Sequence, residues 1–247
     1  MSKGQKLRIK LCADGADLTT MAQLAKNPLI KGFTTNPTLM HKAHVRDYRS
    51  FARDVLGVVG DRPVSFEVFS DDFSEMERQA EEIASWGEQV YVKIPVTNTR
   101  GEFSGPLIRK LSAARVKLNV TAVMTPRQVA DITACFADGL SSYISIFAGR
   151  IADTGRDPVP LIAEALAVMR ARPQTELIWA SPRELLNLFQ AEAVGCHIIT
   201  ATSEVLAKLP LVGKDLTAFS LETVQMFRQD AVKAGLHLEL SEPSPVS

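Results

Sequence analysis

The sequence predicts an α/β fold: one parallel (β/α)8 barrel, with an additional C-terminal helix. Three features predict it. Short runs rich in β-branched residues alternate with longer amphipathic runs throughout the chain. The repeat is roughly 25 to 30 residues, which is what a strand and its returning helix require. The chain has 247 residues, close to the ~250 typical of one such barrel.

The first strand is expected at 7–13, ending at Asp14-Gly15, and a short helix follows at 17–26. The second strand is 32–35. Asn36-Pro37 then reads as a helix cap with proline at the first helical position, and helix continues over 45–59. The third strand is 64–69, and Asp71 or Asp72 caps a helix running to 85. The fourth strand, 90–97, reads Val-Tyr-Val-Lys-Ile-Pro-Val-Thr. It is apolar on both faces, as a buried parallel strand is. Lys93 interrupts it, and Pro95, lacking an N–H, should end the ladder nearby. Further strands are expected at 116–123, 143–148, 176–180 and 197–201, with helices at 106–114, 126–136, 159–171, 182–193, 203–209 and 216–234 and a loop at 149–156. Eight such units close into a TIM barrel. No linker divides them, so 1–236 reads as one barrel domain and 237–247, with two prolines, as a flexible tail.

Composition excludes several functions. Lys plus Arg is 28 and Asp plus Glu is 28, so no basic surface argues for nucleic acid, while a local basic pocket stays open. Cys12, Cys135 and Cys196 are too scattered for a disulfide framework or a metal site. His41, His44, His197 and His237 have no ligand spacing. The start, Met-Ser-Lys-Gly-Gln-Lys, is not an apolar leader. No run reaches the ~18 apolar residues of a membrane span. The expectation is a soluble cytoplasmic protein with no membrane or nucleic-acid partner.

The polar residues gather at the C-terminal strand ends, where barrels build active sites. They are Asp14; Thr34, Thr35 and Asn36; Glu67; Lys93; Asn119 and Thr121, two apart and so on one face; Ser145, sharing a face with Phe147; and Ser181. Seven strands each supplying one describe a pocket over a packed barrel. A lysine among carboxylates and amides, without cysteine or histidine, suits Schiff-base formation. A free lysine, pKa ~10.4, is only about 0.04% neutral at pH 7. Lowering it to ~7–8 gives roughly a thousandfold more nucleophile, at about 3.5–4.5 kcal/mol of ammonium destabilisation. Asp14 and Glu67 oppose this if charged and close, and are suited to proton transfer.

With Asp14, Thr34-Thr35-Asn36-Pro37, Lys93-Ile94-Pro95-Val96-Thr97, Asn119-Val120-Thr121 and Ser145-Ile146-Phe147-Ala148-Gly149-Arg150 in view, the chain resembles the transaldolase family, including its short transaldolase-like and fructose-6-phosphate aldolase branch. The resemblance implies a class I aldolase barrel in which Lys93 forms a Schiff base with a ketose carbonyl. Asp14 would be the acid/base for the C–C step, and Glu67 and Thr121 would hold the water of imine chemistry. Asn36, Asn119 and Ser145 would bind substrate hydroxyls, with Thr35 and Phe147 completing the substrate wall. Arg150, Ser181 and Arg183 match the family's phosphate positions. The resemblance implies no metal or organic cofactor, sugar-phosphate substrates within the pentose phosphate pathway, and a homo-oligomer.

The local pattern at Arg183 is shared. Ser181-Pro182-Arg183-Glu184 and Thr125-Pro126-Arg127-Gln128 both fit a capping box, so both read as helix starts offering N–H groups to an anion. Resemblance and the loops after strands seven and eight favour Arg183, leaving Arg127 on the surface. The segment 98–105 is longer than in short family members, overhangs the pocket, and reads equally as a specificity loop or a surface loop. Pro182 replaces the family's usual aromatic residue. Glu67 and Phe147 resemble the transferase pattern, where the aldolase branch has glutamine and tyrosine. The expected reaction is therefore transfer of a dihydroxyacetone unit from a ketose phosphate such as fructose 6-phosphate to an aldose phosphate. Cleavage releasing free dihydroxyacetone, transfer with an atypical sugar, and sugar-phosphate binding without turnover are the alternatives. The last helix has an apolar face of Phe219, Val224, Phe227, Ala231 and Leu236 for the barrel side or a neighbouring subunit.

Overall fold

A computed structural model describes residues 7–239. The elements in order are β1 (Lys10–Asp14), α1 (Leu18–Ala25), β2 (Ile30–Thr34), α2 (Pro37–Lys42), α3 (Tyr48–Val59), β3 (Val64–Glu67), α4 (Phe73–Ala84), β4 (Val90–Pro95), α5 (Gly105–Ala113), β5 (Leu118–Val123), α6 (Pro126–Thr133), β6 (Ser142–Ile146), α7 (Ala148–Ala152), α8 (Pro158–Met169), β7 (Thr175–Trp179), α9 (Leu186–Val194), β8 (Ile198–Thr202), α10 (Ser203–Leu206) and α11 (Leu216–Lys233). The strands form a closed barrel in sequence order, β1 to β8, every pair parallel. The expected (β/α)8 barrel is therefore the fold. Among the described residues no helix is long and apolar enough to cross a membrane.

The chain separates into two compact units, the barrel unit running to Leu209 and a second unit beginning at Pro210. In the second, Asp215 caps α11 by accepting from the Ala218 N–H at 2.8 Å, and Lys214 pairs with Glu222. Phe219, Val224, Phe227 and Leu236 of the expected apolar face are exposed. Of the expected tail, 240–247 lies outside the described residues.

The barrel's main core lies between strands and helices. Val64, Phe66, Val92, Ile94, Leu118, Val120, Ile144 and Leu177 are fully covered, and Val55, Ile83, Ile108, Ile132 and Ile162 meet them from the helices. Side chains alternate along a strand, so the residues between these face the barrel axis. At the axis a second, smaller cluster joins Cys12, Tyr91, Tyr143, Ile178, Ala180 and Ile198, with the Tyr91 and Tyr143 rings stacked at 3.9 Å.

Most helix starts follow the expected chemistry. Asp17, Asn36, Asp47, Asp72 and Asp157 each accept a first-turn N–H. Two local readings are corrected. The segment expected as a loop after β6 contains the short helix α7, because Phe147 ends the strand and Ala148 starts a turn at once. The second correction concerns the paired capping boxes. Thr125 forms one in full with Gln128. Ser181 does not: its φ is +59°, outside the extended region an N-cap needs, and α9 begins only at Leu186. The N–H groups of Arg183 and Glu184 are met instead by Asn187 Oδ1, at 2.7 and 3.1 Å.

Thr125 supplies a real cap, so Thr125→Ala should cost about 1 kcal/mol. In a barrel of this size that lowers the melting temperature by about 2–4 °C. A thermal melt by circular dichroism measures it; an unchanged midpoint would contradict the cap.

Candidate active site

Strand register assembles the site. Glu67 pairs with Lys93 across β3 and β4, and Lys93 with Asn119 across β4 and β5. Neighbours in register share a face, so one carboxylate, one amine and one amide lie side by side near the C-terminal rim. β4 ends at Pro95, as its missing N–H predicts. Lys93 is only 6% exposed, so its head group must find partners inside the protein. Nζ lies 2.9 Å from Glu67 Oε2 and donates to the Thr35 carbonyl oxygen at 2.8 Å. Glu67 is fixed in turn by Tyr48. The Glu67 N–H donates to the tyrosine oxygen at 2.8 Å, and the tyrosine hydroxyl donates to the Glu67 carbonyl at 3.0 Å. Tyr48 itself packs edge-on against Phe66 and Trp86.

Asp14, at the end of β1, faces the same space. Thr34 Oγ1 donates to Asp14 Oδ1 at 2.7 Å, and Asn36 Nδ2 donates to Oδ2 at 3.3 Å. Thr34 has one hydroxyl proton and gives it to Asp14, so Thr200 Oγ1, 2.7 Å away, is the donor to Thr34. Burial pushes Asp14 above the usual carboxylate range. The Lys93 ammonium and the Thr34 and Asn36 hydrogen bonds pull it down, and Glu67 adds to the rise. Burial prevails, because a carboxylate loses hydration that three partners only partly replace.

These groups line one cavity of about 500 Å³ at the barrel mouth. Asp14, Asn36, Glu67, Lys93, Thr121, Ser145, Phe147, Arg150, Ser181 and Arg183 all lie on its wall. Two expected residues do not. Thr35 is fully buried and its hydroxyl donates to the Ser65 carbonyl at 3.0 Å; only its carbonyl serves the site, through Lys93. Asn119 is also fully buried. Its Nδ2 donates to Ser65 Oγ at 3.0 Å and its Oδ1 accepts from Ser145 Oγ at 2.7 Å. It therefore holds Ser145 from beneath the wall. The 98–105 segment contributes nothing to the cavity wall, which corrects the expected overhang. It is a small hairpin, bridged between Thr97 and Phe103, and its Thr99 and Arg100 bind Asp71.

Sequence reasoning named Thr34 at its strand end without giving it a role and passed over Thr200, Lys42, Thr38 and Thr202; all five line the cavity. Thr34 was within reach: it lies two residues from Asn36, and strand alternation gives those two one face. Thr200 is a polar residue in an apolar strand, the same signal that marked Ser145. Lys42, an exposed residue of α2, carries no such mark. At β5 the pairing with β6 shifts between Val120 and Val123, and Ala122 takes φ +61°. That bulge brings both Thr121 and Ala122 to the cavity wall. Thr121 Oγ1 is buried there without a hydrogen-bond partner, free to hold a water or a substrate oxygen.

The cationic end lies across the mouth from α2, over β6 and β7. Arg150 sits over the Phe147 ring at 5.7 Å. Arg183 Nη1 donates to Ser181 O and Oγ, at 3.1 and 2.9 Å; its Nε donates to Asp153 Oδ1 at 2.9 Å and its Nη2 to Asp153 Oδ2. Gly149 makes this possible, since a Cβ there would lie 1.6 Å from the Ser181 carbonyl oxygen. Arg127 is exposed and paired with Asp131, far from this arrangement in role. Among the described residues no cluster of three or more His, Cys, Asp or Glu could hold a metal ion. The cavity thus offers the buried Lys93 amine, the exposed Lys42 amine, two carboxylates, hydroxyls and two guanidinium groups. That set can attack a carbonyl, move protons and hold an anion.

Comparison with known proteins identifies the family. Residues 11–240 match the family model described as transaldolase/fructose-6-phosphate aldolase. A protein named probable transaldolase from Dehalococcoides mccartyi is 31% identical over 215 residues, covering 85% of this chain and 96% of its own length. Another of that name from Thermoanaerobacter sp. is 32% identical over 231 residues, covering 93% of this chain and all of the relative. Among solved structures, a dihydrodipicolinate synthase from Rhodopseudomonas palustris has a TM-score of 0.54 at 14% identity, covering 78% of this chain and 69% of its own. A putative phosphonomutase from Burkholderia cenocepacia has 0.55 at 13%, covering 89% and 94%. At that identity the structural likeness concerns the barrel alone. The family match spans nearly the whole chain, and the chain belongs to the transaldolase/fructose-6-phosphate aldolase family.

Proposed function

We propose that this protein is a Schiff-base transaldolase, moving a dihydroxyacetone unit from a ketose phosphate such as fructose 6-phosphate to an aldose phosphate. The observation that carries this reading is Lys93, buried at the barrel mouth with Glu67 against its Nζ at 2.9 Å. Lysine must be neutral to attack, and Glu67 is placed to take the proton. The amine adds to the C2 carbonyl, and the resulting carbinolamine loses its hydroxyl as water, leaving an imine. Glu67 and the unpartnered Thr121 hydroxyl support the position of that water. Asp14 then takes the C4 hydroxyl proton. The C3–C4 bond breaks, an aldose phosphate leaves, and the bonding electrons pass to the imine as an enamine. An incoming aldehyde accepts C3 and reverses the sequence. A group that alternately takes and gives a proton works best with its pKa nearer neutrality, and burial moves Asp14 that way.

Transfer is favoured over release of free dihydroxyacetone by Phe147 on the cavity wall, which offers no hydroxyl to activate water against the lysine-bound fragment. Product analysis without an acceptor aldehyde separates the two: free dihydroxyacetone accumulating at the rate of transfer would favour the aldolase reading.

The test of the mechanism is borohydride reduction with fructose 6-phosphate, followed by peptide mass mapping. A three-carbon or hexose-phosphate adduct on Lys93 is expected; a folded protein with no lysine adduct would rule out this donor chemistry. Lys93→Met should abolish both the adduct and transfer.

Asp14→Asn should lower kcat by about 10²–10⁴, the usual contribution of a positioned acid/base. The same variant tests the raised pKa through pH. A carboxyl raised in the folded state contributes stability fully below its unfolded pKa, about 3.9, and loses it as pH climbs through the folded value. Asparagine stays neutral throughout, at a pH-independent loss of one of the two acceptors that Thr34 and Asn36 use. The melting temperature of Asp14→Asn relative to wild type should therefore rise between about pH 3.9 and pH 7. A difference that does not change with pH would contradict the raised pKa.

A further inference from the structure

Arg183 enters the cavity wall with nearly all of its hydrogen-bonding capacity already used. A guanidinium has five N–H donors. Nε and one Nη2 proton go to the two oxygens of Asp153, and both Nη1 protons go to Ser181, one to its carbonyl and one to its hydroxyl. One Nη2 proton remains. The Arg150 side chain, by contrast, rests over Phe147 and feels Asp153 only through charge, with no side-chain hydrogen bond among the described residues. The two arginines share one cavity but are not equivalent toward an anion.

We propose that Asp153 is a competitor for the anionic end of the substrate: its carboxylate occupies the bidentate edge of Arg183, and a bound phosphate takes that edge over. The inference rests on the reading of this cavity as a sugar-phosphate site. Asp153 is the C-cap of α7, 54% exposed, and lies off the cavity wall, so its carboxylate can turn into solvent when released. The Arg183 hydrogen bond holds it well below the usual carboxylate range, so it remains an anion at neutral pH. An ordinary exposed ion pair shifts an equilibrium by up to about fivefold and a bidentate one by more; a phosphate in the cavity has the Arg150 guanidinium as a second cation in its favour. Arg183 does not depend on Asp153 for its place. Both Ser181 bonds persist without it, and the Ser181 turn is backed by Gly149 at a distance that admits no side chain.

The arrangement has a use in the proposed reaction. The three-carbon fragment stays on Lys93 while one phosphorylated aldehyde leaves and another enters. A carboxylate that retakes Arg183 at each departure keeps the phosphate end from holding its product.

Isothermal titration of the full-length protein with inorganic phosphate tests this, comparing wild type, Asp153→Asn and Arg150→Met. Asp153→Asn should bind phosphate at least about threefold tighter, since it removes a like charge and one of the two oxygens that hold Arg183. The KM for fructose 6-phosphate should fall with it, without a rise in kcat. Arg150→Met should weaken phosphate binding. Binding equal to or weaker than wild type in Asp153→Asn, with Arg150→Met still impaired, overturns the competition and leaves the phosphate site standing. Phosphate binding that is absent, or unaffected in Arg150→Met, overturns the phosphate site and the competition together. Asp153 is exposed, and matched circular dichroism spectra confirm that the variants are folded.

Discussion

The structure depends on one buried ion pair. Lys93 and Glu67 face each other near the axis of a barrel whose outer wall is apolar, at 2.9 Å and with side-chain exposures of 7% and 16%. Neither charge is tolerable there alone; removing one partner of such a pair costs about 3–5 kcal/mol. The supporting contacts follow from this. The Thr35 carbonyl takes a second Lys93 proton, and Tyr48 clamps the Glu67 backbone from the helix side. Tyr48 is itself wedged among Phe66, Phe69 and Trp86. Packing of Tyr48 from α3 against Phe66 of β3, Phe69 and Trp86 thus fixes Glu67 and, through it, where the amine stands before any substrate arrives. In the proposed reaction, the proton that leaves Lys93 has one carboxylate in contact to receive it.

Polar groups extend below the mouth in two chains. One runs from Thr200 through Thr34 to Asp14, the other from Ser65 through Asn119 to Ser145. Each ends on a wall residue of the cavity, and the middle residue of each is buried. Buried polar groups are stable only when paired, and these pair with one another. The consequence for function is orientation. Asn119 spends its amide on two serines, so in the proposed reaction its part in holding a substrate hydroxyl would pass through Ser145. Asp14 is held by the same kind of chain, and its two carboxylate oxygens accept from different residues, which sets the plane of the proposed acid/base.

Much of this was legible in the sequence, and the parts that were not have physical reasons. The β4 run, with a lysine inside an apolar strand and a proline two residues later, pointed to a buried amine, and Lys93 stands on the cavity wall. Period-two reasoning placed Asn119 and Thr121 on the axial side, but it could not show that the amide lies one layer too deep to reach the cavity. Thr35 was favoured over Thr34 because both are polar and adjacent; alternation from Asn36 selects Thr34. The β5 bulge, which brings Ala122 to the wall beside Thr121, has no signal in an alanine. The 98–105 segment reads as a loop over the mouth because it follows the reacting strand. Its own charges carry it elsewhere: Thr99 and Arg100 find Asp71 on the neighbouring connection.

The anionic end is where local pattern and tertiary structure diverge most. Ser-Pro-Arg-Glu and Thr-Pro-Arg-Gln are near-equivalent as helix starts, yet only the second makes one. The difference lies in Gly149, absent from any local template. Its bare Cα lets the backbone at Ser181 approach closely, and Ser181 answers with φ +59°, which a helix cap cannot adopt. The turn that results aims the Ser181 carbonyl and hydroxyl together at Arg183. An anion entering here therefore meets guanidinium groups in place of helix N–H groups. That changes the physics of the site. Backbone donors at a helix start are fixed and always available, whereas a guanidinium can be bound by a neighbouring carboxylate and released. If this end holds the substrate phosphate as proposed, the strained turn and the close glycine give it guanidinium donors, whose availability other charges can contest.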